Sequence, residues 1–138
     1  MFRKIFSKFN QTKPQPLKKP YEDVISASYY ERVIKDLLNS KYCEVNGTEE
    51  EFIKYLLYKL QQNNLRKLVR LKRMSNKAID FSYNSYPIGK IKLQGKKTWM
   101  QILTNLYDQK RLEDVSDFEY IDAIDLWISY IKKLKLNN

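Results

Sequence analysis

Apolar residues recur along this chain with two periods, and the points where the period changes divide it into elements. Phe2, Ile5, Phe6 and Phe9 follow i, i+3, i+4, i+7 spacing with Arg3, Lys4 and Lys8 on the other face, which predicts a short basic amphipathic helix. Pro14, Pro16 and Pro20 then predict an extended PPII-like linker, so residues 1–20 read as a flexible tail. The folded body, residues 21–138, is expected to start near Tyr21. Ser28-Tyr-Tyr-Glu31 has capping-box spacing and opens one apolar face made by Tyr30, Val33, Ile34, Leu37 and Leu38, so a helix is expected from here or from just after Pro20, ending by about Ser40. Lys41–Val45 reads as a short strand and Asn46-Gly47 as a turn. Thr48–Glu51 is a second capping box, opening a helix whose stripe is Phe52, Ile53, Leu56, Leu57 and Leu60. Gln61–Asn64 interrupts that stripe, because asparagine disfavours helix interiors and tolerates the left-handed backbone of a sharp turn.

A further helix is expected over Leu65–Met74, with Leu65, Leu68, Val69 and Leu71 or Lys72 inward and Arg66, Lys67, Arg70 and Arg73 outward; one bent helix over 48–74 is the alternative. The period shortens after Lys77. Ala78–Tyr83 and Lys90–Leu93 alternate as strands do, and Asn84–Gly89 between them has the turn chemistry of a hairpin. Trp99, Ile102, Leu103 and Leu106 predict a short helix from about Thr98, with 108–113 a polar connection. Ser116-Asp-Phe-Glu119 is a third capping box, and Ile121, Ile124, Ile128 and Ile131 mark the last helix. That stripe reads as core, with a homodimer seam through residues 116–135 as the other reading, since it spans little more than two heptads.

Charge sharpens this picture. Of the 33 residues from Leu65 to Lys97, ten are basic and only Asp80 is acidic, a formal +9, whereas residues 21–62 and 112–138 each carry −3. A basic block between acidic flanks concentrates positive potential on whatever surface it builds. The whole chain of 138 residues carries +10, which favours polyanionic partners, either nucleic acid or an anionic membrane face. Its length is that of one domain.

Chemistry is constrained by what is missing. There is no histidine and Cys43 is the single cysteine, which removes the usual zinc sites, histidine bases and an intrachain disulfide, and suits a reducing compartment. Gly47, Gly89 and Gly95 are dispersed, and position 90, where a P-loop ending at Gly95 would need its first glycine, is Lys90. No apolar run approaches the roughly 18 residues of a membrane span, and no secretory signal is recognisable, so a cytoplasmic location is expected. No cofactor and no enzymatic activity are expected.

The order helix, short strand, helix, tight turn, basic helix, basic hairpin resembles a winged helix-turn-helix. The expected fold is therefore mainly α with a β-hairpin (α+β), winged-helix-like, with an added C-terminal amphipathic helix. The resemblance implies a recognition helix at Leu65–Met74 and a wing over Asn84–Lys97. DNA, duplex in preference to single strand, is then the expected partner. The expected contacts are Arg66, Lys67, Arg70, Arg73, Lys77, Lys90, Lys92, Lys96 and Lys97, with Tyr83 and Tyr86 packing on sugar or base. With few Asn, Gln or Ser on that helix, binding is expected to be dominated by backbone and shape. Two other classes fit the same features: a protein-interaction module docking an acidic partner through the same patch, and weak peripheral membrane association through Phe2, Ile5, Phe6 and Phe9.

Overall fold

The computed structural model describes residues 19–136, so the basic segment 2–9 and most of the proline linker lie outside the described residues. Helix α1 (Ala27–Leu38) starts where the Ser26 side chain accepts a hydrogen bond from the Tyr29 amide, two residues before the expected cap, and buries Tyr29, Val33, Ile34 and Leu37 along one face. No strand forms at 41–45. The Glu44 carbonyl is instead taken by side chains, Gln94 Nε2 at 2.7 Å and Arg73 Nη2 at 3.4 Å.

Helix α2 (Gly47–Gln62) is capped two residues earlier than the Thr48–Glu51 spacing suggests. Asn46 Oδ1 accepts from the Glu49 amide at 2.8 Å and the Glu49 carboxylate accepts from the Asn46 amide at 3.2 Å. The expected break at Gln61–Asn64 is present, and its geometry is a Schellman closure. Asn64 takes the left-handed conformation (φ 58°), Leu65 N–H donates to Leu60 C=O at 2.8 Å and Asn64 N–H to Gln61 C=O at 3.1 Å. Leu60 and Leu65 are both buried beside it.

Past this closure the expected fold fails. The chain is not mainly helical with one hairpin: the described residues form three helices and a five-stranded antiparallel sheet, an α+β fold. In place of a recognition helix at 65–74 there is strand β1 (Val69–Arg73), followed by β2 (Ile79–Tyr83), β3 (Tyr86–Lys92), β4 (Trp99–Leu103) and β5 (Gln109–Glu113). The bent-helix alternative fails for the same reason. The expected helix at Thr98 and the polar connection at 108–113 are the last two strands. The strands lie side by side in chain order as a meander. Strand β2 falls where alternation placed it, but its turn is tighter than expected. Asn84 and Ser85 have φ of 51° and 69°, the two positive values of a two-residue type I′ turn, so Tyr83 pairs directly with Tyr86 and the remaining loop residues belong to β3.

One bulge makes β3 work. Phe81 pairs with Gly89 and Ser82 with Pro87, leaving Ile88 as the extra residue. Ile88 and Gly89 are consequently both buried, while Lys90 and Lys92 stay partly exposed on the other face. Helix α3 (Asp117–Leu136) begins at the expected capping box, with the Glu119 amide donating to Ser116 Oγ at 3.2 Å. Its stripe, Tyr120, Ile124, Trp127, Ile128 and Ile131, is buried in the chain's own core. Trp127 lies at the centre: its ring meets Phe52 edge-on at 5.7 Å and Phe81 at 4.9 Å, and its Nε1 donates to the Gln101 carbonyl at 3.0 Å.

The helices share one core with one face of the sheet, and two tyrosines on α1 report its integrity. Burial pushes the Tyr29 hydroxyl well up, against the opposing pull of Arg32 and Arg66, and pushes Tyr30 up to about 12, aided by nearby Glu50. The unfolded chain ionises these phenols near the ordinary value of 10. The fold should therefore keep its full stability below about pH 10 and lose it progressively above, because deprotonation favours the unfolded state. Urea midpoints measured across alkaline pH should fall, and more shallowly in Tyr29→Phe; an unchanged midpoint would contradict the burial.

Candidate nucleic-acid interface

Strand alternation sorts the basic block into two fates. On β1, Val69, Leu71 and Arg73 point to the core and Arg70 and Lys72 to solvent. Arg66, Arg70 and Arg73 therefore do not share a face. Arg66 and Lys67 are exposed on the connection after α2, and Arg70 is exposed on the sheet, its Nε 3.4 Å from Asp36 Oδ2 of α1. Arg73, expected on the outer face, is not on the surface. Its side chain is fully buried in a bidentate pair with the equally buried Glu49, Nη1 to Oε2 at 2.6 Å and Nη2 to Oε1 at 3.0 Å. Nη1 also donates to the Lys77 carbonyl at 2.9 Å, and Gln94 Nε2 donates to Glu49 Oε1 at 2.7 Å. Tyr83 is likewise buried, its hydroxyl pushed up by burial, and offers no ring to a base. Tyr86 is 39% exposed at the start of β3. Lys77, Lys96 and Lys97 are exposed on the β1–β2 and β3–β4 connections, and Lys90 and Lys92 are half-buried on the sheet. Phe2, Ile5, Phe6 and Phe9 lie outside the described residues.

The sheet face away from the helices collects what remains. Antiparallel register places Lys72 opposite Asp80, Asp80 opposite Lys90, Lys90 opposite Gln101 and Gln101 opposite Arg111, one row across all five strands. At about 4.8 Å per strand the row runs roughly 19 Å. The next row carries Lys92, Trp99 and Glu113. Five cations (Arg70, Lys72, Lys90, Lys92, Arg111) thus face two anions (Asp80, Glu113), a net positive surface. Among the described residues no ion pair engages Lys72, Lys90 or Lys92. The pairs that do exist here, Arg70–Asp36 and Arg111–Glu113 (2.8 Å), are solvent-exposed and hold their partners weakly.

Three residues of this face were not among the expected contacts. Lys72 alternates with the buried positions of β1, but a helical reading turned it toward the inner side. Trp99 and Arg111 become neighbours only once β4 and β5 are strands: the Arg111 guanidinium lies 4.3 Å above the Trp99 ring, within cation–π range. Beside β1, a groove of about 610 Å³ extends the basic surface past Arg70 to Arg32 and Lys67. Arg32 Nη2 donates to the Arg66 carbonyl at 2.9 Å, and both guanidiniums approach the Tyr29 ring, at 5.5 and 5.8 Å.

Among the described residues no group of three or more Asp, Glu, Cys or His side chains could hold a metal ion, and no helix is long and apolar enough to cross a membrane. Comparison with protein-family models, with curated proteins and with solved structures found no match.

Proposed function

We propose that this chain is a non-catalytic nucleic-acid-binding protein that uses the wet face of its sheet and the adjoining Arg32–Arg70 edge. The observation that carries this reading is the cross-strand row of cations. Lys72, Lys90 and Lys92 are held on rigid strands, have no ion pair among the described residues, and stand beside two arginines whose partners are exposed. Such a surface attracts a phosphate backbone by releasing its counterions. The winged-helix route has no recognition helix to use, so contacts fall on strands and loops instead.

Fluorescence anisotropy of labelled oligonucleotides across a salt series tests it. Log affinity should fall linearly with log salt, and the Lys72→Ala/Lys90→Ala/Lys92→Ala variant should flatten the slope by about 0.7–0.9 for each phosphate it no longer neutralises. Salt-independent binding, or none at low salt, would overturn the reading. A second reading is favoured by one observation: Leu106 and Tyr107, at the β4–β5 turn, are 76% and 93% exposed, as an aromatic anchor for an acidic protein partner would be.

A further inference from the structure

We infer that the nucleic acid this face takes is single-stranded, with Trp99 as the platform on which a base stacks; the inference rests on the nucleic-acid reading above and narrows its ligand. A duplex presents phosphates on its outside and hides the faces of its bases. Cations alone can hold its backbone, but reading it takes an element, a helix or a two-stranded ribbon, that enters a groove. The described structure offers cations but, on this face, a five-stranded sheet with no helix standing out from it. A single strand presents phosphates together with unpaired bases, and sheets that bind it combine a positive track with aromatic side chains.

Trp99 meets the second requirement. It is one of two tryptophans, and the other, Trp127, is completely buried. Trp99 projects from β4 on the solvent side, between its register partners Lys92 and Glu113, and one face of its ring already carries the planar guanidinium of Arg111 at 4.3 Å. Trp99 is half-buried, and the ring face that Arg111 covers opens when that exposed side chain moves aside. A base either displaces Arg111 or stacks on the guanidinium itself, as bases do on arginine planes. Lys92 beside the ring and the Lys72–Lys90–Arg111 row next to it supply the phosphate contacts on either side. The row is wide enough for several nucleotides, and the basic loop residues Lys96 and Lys97 adjoin its β3–β4 end.

The deciding experiment uses the full chain and a labelled mixed-sequence single-stranded DNA, its RNA counterpart and the annealed duplex, at one low and one physiological salt concentration. Tighter binding of a single strand than of duplex is expected, with quenching of the tryptophan emission on binding. Trp99→Leu, which keeps an apolar side chain without an aromatic face, should weaken single-strand binding by about tenfold, the lower part of the range for loss of one stacked base. Trp99→Tyr should recover most of the affinity, and circular dichroism establishes that both variants fold. Preference between DNA and RNA identifies which backbone is read. Duplex binding at least as tight as single-strand binding, or a Trp99→Leu variant of unchanged affinity, would overturn this inference and leave the broader reading standing. Binding of none of the three would overturn both.

Discussion

Replacing Glu49 with alanine should cost about 3–5 kcal/mol of folding stability, the largest effect expected of any single change to a charged residue here. The side chain has no exposed surface, and its carboxylate takes donors from three parts of the chain at once. Its carboxylate receives the Arg73 guanidinium of β1, the Gln94 amide after β3 and the Asn46 amide at the start of α2, while Arg73 in turn holds the carbonyls of Lys77 and Glu44. Removing the carboxylate leaves a buried guanidinium whose Nε already has no hydrogen-bond partner. The pair's net contribution is a different quantity. An apolar pair such as Glu49→Leu with Arg73→Met removes both desolvation costs and should lie much closer to the wild type than Glu49→Ala. Urea denaturation with an unchanged m value measures both. A loss below about 1 kcal/mol for Glu49→Ala, well under the cost of an unpaired buried charge, would mean that Arg73 finds water in the folded state.

A second expected result concerns the smallest residue of β3. Gly89→Ala should destabilise by about 3 kcal/mol, the upper end for an added core methyl. A Cβ there would stand 2.2 Å from the Gln101 carbonyl oxygen and 2.3 Å from Trp127 Nε1. The carbonyl belongs to the neighbouring strand and cannot retreat without opening the sheet. Trp127 cannot retreat without breaking its own bond to that carbonyl and leaving Phe52 and Phe81. Trp127→Phe should cost stability alone yet recover part of it in the Gly89→Ala background, a coupling that denaturation of the four variants would reveal. Simple additivity would show that the indole does not rest on Gly89.

The parts of the fold legible in the sequence are those specified locally. The α2 stripe, the Asn-Asn closure, the capping box at Ser116 and the alternation of β2 are each encoded within a few residues. Strand β1 was hidden because Leu65, Leu68, Val69 and Leu71 fit a helical stripe, and because the third core position of the alternating pattern is an arginine. Its burial depends on Glu49, 24 residues earlier, and no local signal announces such a partner. Strand β4 was hidden for the opposite reason: Trp99 and Leu103 make its solvent face apolar, so Met100 and Ile102 do not stand out. The site followed the fold. Of the basic block, Arg70, Lys90 and Lys92 lie on the solvent side of the sheet. Trp99 and Arg111 could be joined only through the register of two strands that helical spacing had concealed.

The meander has a consequence for synthesis. Each strand lies beside the one that precedes it in the chain, so every hairpin can close across a short connection as soon as its second strand has left the ribosome, at little loop-closure cost. Helix α3 is the exception. Its contacts reach far back, as in the bond from Lys59 Nζ to the Ile121 carbonyl across 62 residues. Until that helix is made, the nascent sheet has no Trp127 to cover Gly89 and Phe81, and its inner face is the stretch of this chain most in need of protection.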